Sequence, residues 1–285
     1  MTPDRRMGRS LVFDGTPLVM GILNITPDSF SDGGRFLRSE QALRQADRLV
    51  AEGADIIDIG AESTRPGYGG VSADEEWARL EPVLRPLLSK CPVPISVDTQ
   101  KACVAEKALA AGAHMINDVW GLQKDPAMAE VVACHQVPVV LTHNREEMGT
   151  FASVQALLDD LVAFLTKSIE LALGHGISET LLIVDPGIGL GKSVEQNLVI
   201  LGHLAALKGL RCPILLGVSR KSVIRETLGI PEASDEAALA PTIALNVLGL
   251  AGGASIFRVH DVAENKQALR MAYAVTAGFQ QTKMD

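Results

Sequence analysis

Asn24, Glu62, Asp98, Asn117, His143, Asp185, Lys221, Arg258 and His260 each stand where a short apolar run gives way to polar sequence. Acids, amides and cations placed at one phase of a recurring unit are costly to desolvate unless paired, so a fold that only maintains itself has little use for them. Taken singly, a residue such as Asp98 reads equally well as a helix cap. Taken together they read as a site. Asp98, Asn117 and Asp185 offer several acceptors and one amide donor, a set suited to a flat heterocycle with amino and ring N–H groups along one edge. Lys221 adds a point charge for a ring oxygen or nitrogen, and Arg258 a planar guanidinium able to stack on a ring face. Arg65, Arg258 and His260, with Asn24 and Thr64 as donors, make a candidate anion pocket.

Two patterns point to chemistry and fail on inspection. The run Gly187-Ile188-Gly189-Leu190-Gly191-Lys192-Ser193 resembles a phosphate loop, but the first glycine that a GxxxxGK[ST] loop requires falls on Pro186. Lys192 likewise occupies the last glycine position of a GxGxxG loop, so this stretch reads as a βα connection after Asp185. The histidines show no HExxH or paired spacing, which argues against a tightly held transition metal. His114, His135, His175 and His203 suit core or surface roles, and Trp77 and Trp120 suit packing.

The elements that must position these residues recur as a unit: a β-branched apolar run, then a helical pattern rich in Ala and Leu. The runs are Leu18–Ile25, Asp55–Gly60, Pro94–Asp98, His114–Val119, Pro138–Thr142, Leu181–Val184, Pro213–Val218 and Ser255–Val259. Runs apolar at nearly every position suit parallel strands covered on both faces. Helices are predicted over Ser39–Glu52, Ala73–Ser89, Lys101–Ala111, Val154–Gly174 and Val262–Ala277, several with a glycine stop. Strand then helix, eight times over, predicts an α/β fold of the (β/α)8 TIM-barrel type, with a doubly wound sheet as the alternative. In such a barrel the carboxyl ends of the strands carry the chemistry. Leu11 to Leu18 reads as a short N-terminal β-hairpin turning at Asp14-Gly15.

Residues 1–285 show no linker or composition break, so they read as a single domain. The chain is 47% hydrophobic with a net charge of −8, which disfavours a nucleic-acid binder because neutralising phosphates calls for a basic face. The four cysteines form no CxxC pair and read as reduced thiols. Nothing after Met1–Ser10 has signal-peptide quality. Ala237–Phe257 is uncharged, but Pro241, Asn246, Gly249, Gly252 and Gly253 interrupt it. It reads as a buried helix turning into a strand rather than a membrane span. A soluble, cytoplasmic protein is expected.

Ordered motifs give this reading a family. Asn24-Ile25-Thr26-Pro27-Asp28-Ser29-Phe30-Ser31-Asp32-Gly33-Gly34 resembles the first signature of dihydropteroate synthases, and Asp58-Ile59-Gly60-Ala61-Glu62-Ser63-Thr64-Arg65-Pro66-Gly67 the second. Ser96-Val97-Asp98-Thr99, Ile116-Asn117-Asp118, Asp185-Pro186-Gly187, Ser219-Arg220-Lys221-Ser222 and Arg258-Val259-His260-Asp261 follow in family order, so the resemblance spans nearly the whole chain. The family joins 6-hydroxymethyl-7,8-dihydropterin diphosphate to p-aminobenzoate, releasing pyrophosphate. The resemblance implies that Asp98, Asn117, Asp185 and Lys221 hold the pterin, with Arg258 against its face. It implies a diphosphate site of Asn24, Thr64, Arg65, Arg258 and His260, with Mg2+ on Asn24. The p-aminobenzoate site would comprise Phe30, Thr64, Pro66, Leu190, Lys221 and Ser222, the last at a helix N-terminus. Asp98, Lys221, Asp32 and Arg65 would act in catalysis, with Phe30 and Asp32 in a first loop and Thr64, Arg65 and Pro66 in a second. A homodimer is also implied, with the Ala237–Leu250 helix as a candidate face.

Two positions depart from the family pattern. Leu190 stands where an aromatic is common near the aminobenzoate ring, and Thr142 where strand five usually carries an apolar contact to the pterin. Both bear on second-substrate affinity and sulfonamide response rather than on reaction class. Two rivals share the pterin acids: a pterin-binding methyltransferase barrel, which has no need of Thr64-Arg65-Pro66 or Ser219-Arg220-Lys221, and a catalytically silent pterin-binding paralogue.

Overall fold

The computed structural model describes residues 15–25, 35–62, 70–146, 149–231 and 234–281. Eight parallel strands close into a barrel in chain order: β1 (Leu18–Asn24), β2 (Ile56–Gly60), β3 (Ile95–Asp98), β4 (Met115–Asp118), β5 (Val139–Thr142), β6 (Leu182–Asp185), β7 (Ile214–Leu216) and β8 (Ala254–Val259). Helices alternate with them: α1 (Arg35–Ala51), α2 (Ala73–Lys90), α3 (Ala102–Ala111), α4 (Met128–His135), α5 (Val154–Gly174), α6 (Val194–Gly202), α7 (Ser222–Leu228), α8 (Leu239–Gly252) and α9 (Val262–Gln281). The closed parallel sheet excludes the doubly wound alternative. From Leu11 to Asp14 the expected hairpin lies outside the described residues.

Local sequence explains where the elements begin. Ser72, Ser153 and Ser193 cap α2, α5 and α6 with their hydroxyls, and Gln196 completes a capping box with Ser193. The uncharged segment behaves as its glycines require: α8 ends at Gly253 in the left-handed conformation and the chain enters β8. Among the described residues, no helix is long and apolar enough to cross a membrane.

Two apolar layers follow from strand alternation. Outward-facing side chains such as Val19, Ile57, Ile59, Val97, Ile116, Leu141, Val184 and Phe257 join the helices in the larger core. The inward layer, Met20, Ile56, Met115, Val140, Ile183, Leu215 and Ile256, fills the barrel. Because side chains alternate with period two, the next inward positions towards the carboxyl end are Ile22, Asp58, Asn117, Thr142, Asp185, Gly217 and Arg258. The barrel floor is therefore apolar and the level above it polar.

Candidate active site

The register brings this polar level together. Asp98 pairs with Asn117 across β3 and β4, Met20 with Arg258 across β1 and β8, and Thr142 with Asp185 across β5 and β6. Arg258 donates from Nε to Asp58 Oδ2 at 2.6 Å and from Nη2 to Asp98 Oδ2 at 2.7 Å. Asn117 Nδ2 donates to the same Asp58 oxygen at 3.1 Å, while Asp58 Oδ1 is buried with no partner. On the opposite wall, a Cβ placed on Gly217 would lie 3.8 Å from Lys221 Nζ and 3.9 Å from both Asp185 Oδ2 and Arg258 Cβ. The absence of a side chain at Gly217 thus leaves the space into which three charged groups converge. Gly60 does the same for Asp98, whose Cβ would lie 3.4 Å from one built there.

The protonation states follow from crowding three carboxylates and two cations in a dry barrel mouth. Burial pushes Asp98 up to about 7, against the attraction of Arg258 and with the repulsion of Asp58. Burial also raises Asp185, opposed by Lys221 and by the Gly187 N–H, which donates to Oδ1 at 2.7 Å. Lys221 is lowered by burial to about 8, with Asp185 working against the fall. Burial disfavours the Arg258 charge, but Asp58 and Asp98 outweigh it and hold the guanidinium firmly protonated. His260 is pushed down to about 3 by burial and by Arg220 and Arg258, so it stands as a neutral imidazole. Its Nδ1 lies 3.0 Å from Ser219 Oγ, which also accepts from the His260 backbone N–H.

The remaining sequence candidates divide. Asn24 ends β1 exposed at the mouth, and Ser222 opens α7 exposed behind Lys221. Leu190 is half-buried in the β6–α6 connection. Phe30, Asp32, Thr64, Arg65 and Pro66 lie outside the described residues. Two strand-end residues leave the constellation. Glu62 turns away to accept from Lys101 Nζ at 2.8 Å, Gln100 Nε2 at 3.0 Å and the Val71 N–H at 3.0 Å. His143 is fully buried against Phe164, ring centroids 4.7 Å apart, and is lowered to about 2 by burial and the charges of Lys192 and Arg145. Both sit beyond a strand end, where spacing no longer fixes the direction of a side chain.

Asp58 is the site residue that strand ends do not reveal. It belongs to the second motif but lies inside β2 rather than at its end. The available signal was an acid between isoleucines in Ile56-Ile57-Asp58-Ile59, at the same inward phase as Asn117 and Asp185. No group of three or more His, Cys, Asp or Glu side chains arranged to hold a metal occurs among the described residues.

Comparison with known proteins agrees with this geometry. Residues 20–260 match the model of the family described as pterin binding enzyme. The chain is 45% identical to a dihydropteroate synthase of Bacillus subtilis over 268 residues, 94% of this chain and 90% of the relative. Among solved structures it is similar to a dihydropteroate synthase of Clostridium difficile determined in the presence of pteroic acid. That likeness has a TM-score of 0.88 and 46% identity, and covers 93% of this chain and 99% of the other. It is also similar to the Xanthomonas albilineans enzyme with 4-aminobenzoic acid, with a TM-score of 0.89 and 43% identity, covering 95% and 97%.

Proposed function

The chain belongs to the dihydropteroate synthase family of pterin-binding enzymes, transferases of folate biosynthesis, and we propose that it condenses 6-hydroxymethyl-7,8-dihydropterin diphosphate with p-aminobenzoate by departure of pyrophosphate ahead of attack by the amine. The observation that carries this reading is the convergence of Asp58, Asp98, Asn117, Asp185, Lys221 and Arg258 on one level of the barrel mouth.

Asp185 and Asn117 hold the amino and ring N–H edge of the pterin, and Lys221 meets a ring oxygen or nitrogen. Arg258 has its Nε and Nη2 committed to Asp58 and Asp98. Its face and Nη1 are left for the ring and the diphosphate. An arylamine is a weak nucleophile, so leaving-group departure matters more than a strong base. As pyrophosphate leaves, positive charge spreads from the methylene into the ring, and Asp98 stabilises it through a ring N–H. His260 offers a neutral N–H to the diphosphate. Ser222, the helix start behind it and Leu190 bound the aminobenzoate side, together with Phe30, Thr64, Arg65 and Pro66 from the two signature loops. Asp32 and Arg65 complete the catalytic set.

Asn24 fits a magnesium ion that enters with the substrate: it is one hard oxygen donor, exposed at the mouth, and magnesium is held by few protein ligands plus phosphate oxygens. When bound there, Mg2+ supplies charge neutralisation on the departing diphosphate. We further propose a homodimer formed through α8 and α9, which carry Leu248, Met271 and Val275 exposed, and a cytoplasmic location.

The test is an assay with pterin diphosphate, Mg2+ and labelled p-aminobenzoate. Labelled dihydropteroate forming with stoichiometric pyrophosphate supports the reading. Pterin binding without product identifies a silent binder, and methyl transfer in place of condensation identifies the methyltransferase alternative.

A further inference from the structure

The connection between β6 and α6 is built far more tightly than a surface loop needs to be. Gly187, Gly189 and Gly191 all have positive φ, at +66, +78 and +64 degrees, and each is pressed against a different neighbour. A Cβ on Gly187 would fall 1.9 Å from the His143 carbonyl oxygen, and one on Gly191 would fall 2.1 Å from that of Arg145. A Cβ on Gly189 would meet Lys221 Cδ at 2.9 Å. The alternate glycines that mimic a phosphate loop are therefore contact points: two against the segment after β5, one against the side chain of Lys221. The Lys221 ammonium in turn donates to the carbonyl of Ile188.

Lys192 closes this strap. Its Nζ donates to His143 O at 3.1 Å, Gly187 O at 2.9 Å and Leu190 O at 3.1 Å, using all three ammonium protons. One acceptor lies on the β5 side and two within the strap, so the bonds tie the strap to its neighbour. Asn197 supports the same strap from α6, accepting from the Gly189 N–H at 2.8 Å and donating to Ser193 O at 2.8 Å.

We propose that Lys192 is a positioning residue for the pterin pocket: its ammonium cross-ties the glycine strap that seats Lys221 and Leu190, and it stands behind Asp185 as a further cation. This rests on the reading of Asp185 and Lys221 as pterin groups. Asp185 is faced by Lys221 from the start of α7, by Arg258 from β8 and by Lys192 from the strap, and each favours its ionised form. Lys192 itself faces Asp185, Lys221, Arg145 and Asp160, with His143 alongside. Burial brings it down to about 7, so it carries its charge below neutrality. A carboxylate that receives two N–H groups of a pterin edge must be unprotonated. Lys192 thus extends pterin binding to lower pH without touching the ligand.

The experiment follows binding of 6-hydroxymethylpterin by fluorescence across the pH range for the intact chain, together with KM and kcat for p-aminobenzoate. The variants are Lys192→Met, Lys192→Gln, Asn197→Ala and Asp185→Asn. The acid limb of binding belongs jointly to Asp98 and Asp185, and Lys192 acts on the second. Both Lys192 variants are expected to move the limb upward by about 0.5–1 on the pH scale, weakening binding roughly three- to tenfold on the acid side of the limb. Gln, which keeps a donor, should raise KM for p-aminobenzoate less than Met does. Asn197→Ala loosens the strap without removing charge, and should raise KM while leaving the limb in place. The limb is a midpoint, so it is read from whatever fraction of a variant folds. Asp185→Asn should abolish binding at every pH. If it binds as the parent does, the pterin assignment fails and the inference with it. If Asp185→Asn loses binding while both Lys192 variants keep the parental limb, or Asn197→Ala shifts it equally, the role given to Lys192 is overturned and the pterin site stands.

Discussion

Asp98→Asn should make the enzyme more stable while nearly abolishing turnover. Asp98 is 9% exposed, and burial raises it from 3.8 to about 7. Its folded-state value lies above its unfolded value, so between the two the native state holds a proton that the unfolded chain has released. Stability attributable to this group is then highest below the unfolded value and falls as pH rises through that interval, levelling off above about 7. The full rise corresponds to a ceiling of about 4 kcal/mol. Asparagine must also be desolvated, and its amide oxygen accepts more weakly from the Arg258 guanidinium than a carboxylate does, so a gain of roughly 1–2 kcal/mol at about pH 8 is expected. That is worth a few degrees in melting temperature for a chain of this length. Thermal unfolding of both proteins across pH measures it: the curves should converge in acid, separate as pH rises from 3.8 to about 7 and stay apart above that, with the variant higher. The same variant should lose kcat more than it loses affinity for pterin diphosphate, since the carboxylate matters most when the ring becomes cationic. An Asp98→Asn protein less stable than the parent at alkaline pH would refute the electrostatic reasoning. Equal losses in kcat and affinity would refute the cation-stabilising role.

Three further outcomes follow from the same geometry. Arg258→Met removes the partner of Asp58, which is 0% exposed, and should cost about 3–5 kcal/mol of stability in denaturant titration; Arg258→Lys should not restore it, because one ammonium cannot reproduce the two directed bonds to Asp58 and Asp98. Gly187→Ala should displace the strap from the His143 carbonyl and raise KM for p-aminobenzoate, whereas Gly112→Ala, with nothing within 4 Å of its Cβ, should cost only about 1–3 kcal/mol of backbone strain and leave KM unchanged. Removing Mg2+ by chelation should stop condensation while leaving binding of 6-hydroxymethylpterin, which lacks the diphosphate, at its original affinity in a fluorescence titration.

How far sequence reaches into this molecule depends on whether a strand fixes the side chain concerned. The barrel was legible because runs such as Leu182-Ile183-Val184 are apolar on both faces, and only a parallel sheet covered by helices uses both. Strand ends agree to within one residue, except at the seventh run. There the predicted Pro213–Val218 shortens to Ile214–Leu216, because the ladder shifts register between Ile214 and Leu215 and only Val184–Ile214 pairs with β6. Asp98, Asn117, Asp185 and Arg258 lie within strands, so period two alone aims them inward. Glu62 and His143 lie one residue or more past a strand end, where tertiary partners such as Lys101 and Phe164 decide the direction. Asp58 was hidden because an acid in mid-strand interrupts an apolar run without ending it. The glycine strap failed both phosphate-loop patterns, yet the contacts that give its glycines a purpose, His143 O, Arg145 O and Lys221 Cδ, are distant in sequence.

The mouth of this barrel is electrostatically unfinished, and that explains its chemistry better than any single residue does. Three carboxylates, Asp58, Asp98 and Asp185, face two cations, Arg258 and Lys221, on a floor of Met20, Met115, Ile183 and Leu215 that offers no compensation. Burial over this floor is what raises Asp98 to about 7, and the surplus acid at Asp58 adds to the rise against the attraction of Arg258. A neutral ligand with several N–H groups relieves the strain by donating to the acids, and a ligand that becomes cationic relieves it further. The site is therefore more complementary to a positively charged ring than to the neutral one it first admits, which is the condition for accelerating a step that generates such a ring. The same surplus repels a diphosphate, so anion binding falls to groups at the rim: Asn24 with the ion it can hold, the neutral His260, and the remaining N–H of Arg258. Separation of a cation-seeking polar level from an anion-seeking rim places the breaking bond between them. Reversing the sign of that level, as in an Asp98→Asn, Asp185→Asn double variant, should leave affinity for free pyrophosphate intact or improved while abolishing turnover. A double variant that kept substantial turnover would show that these acids do not stabilise the cation.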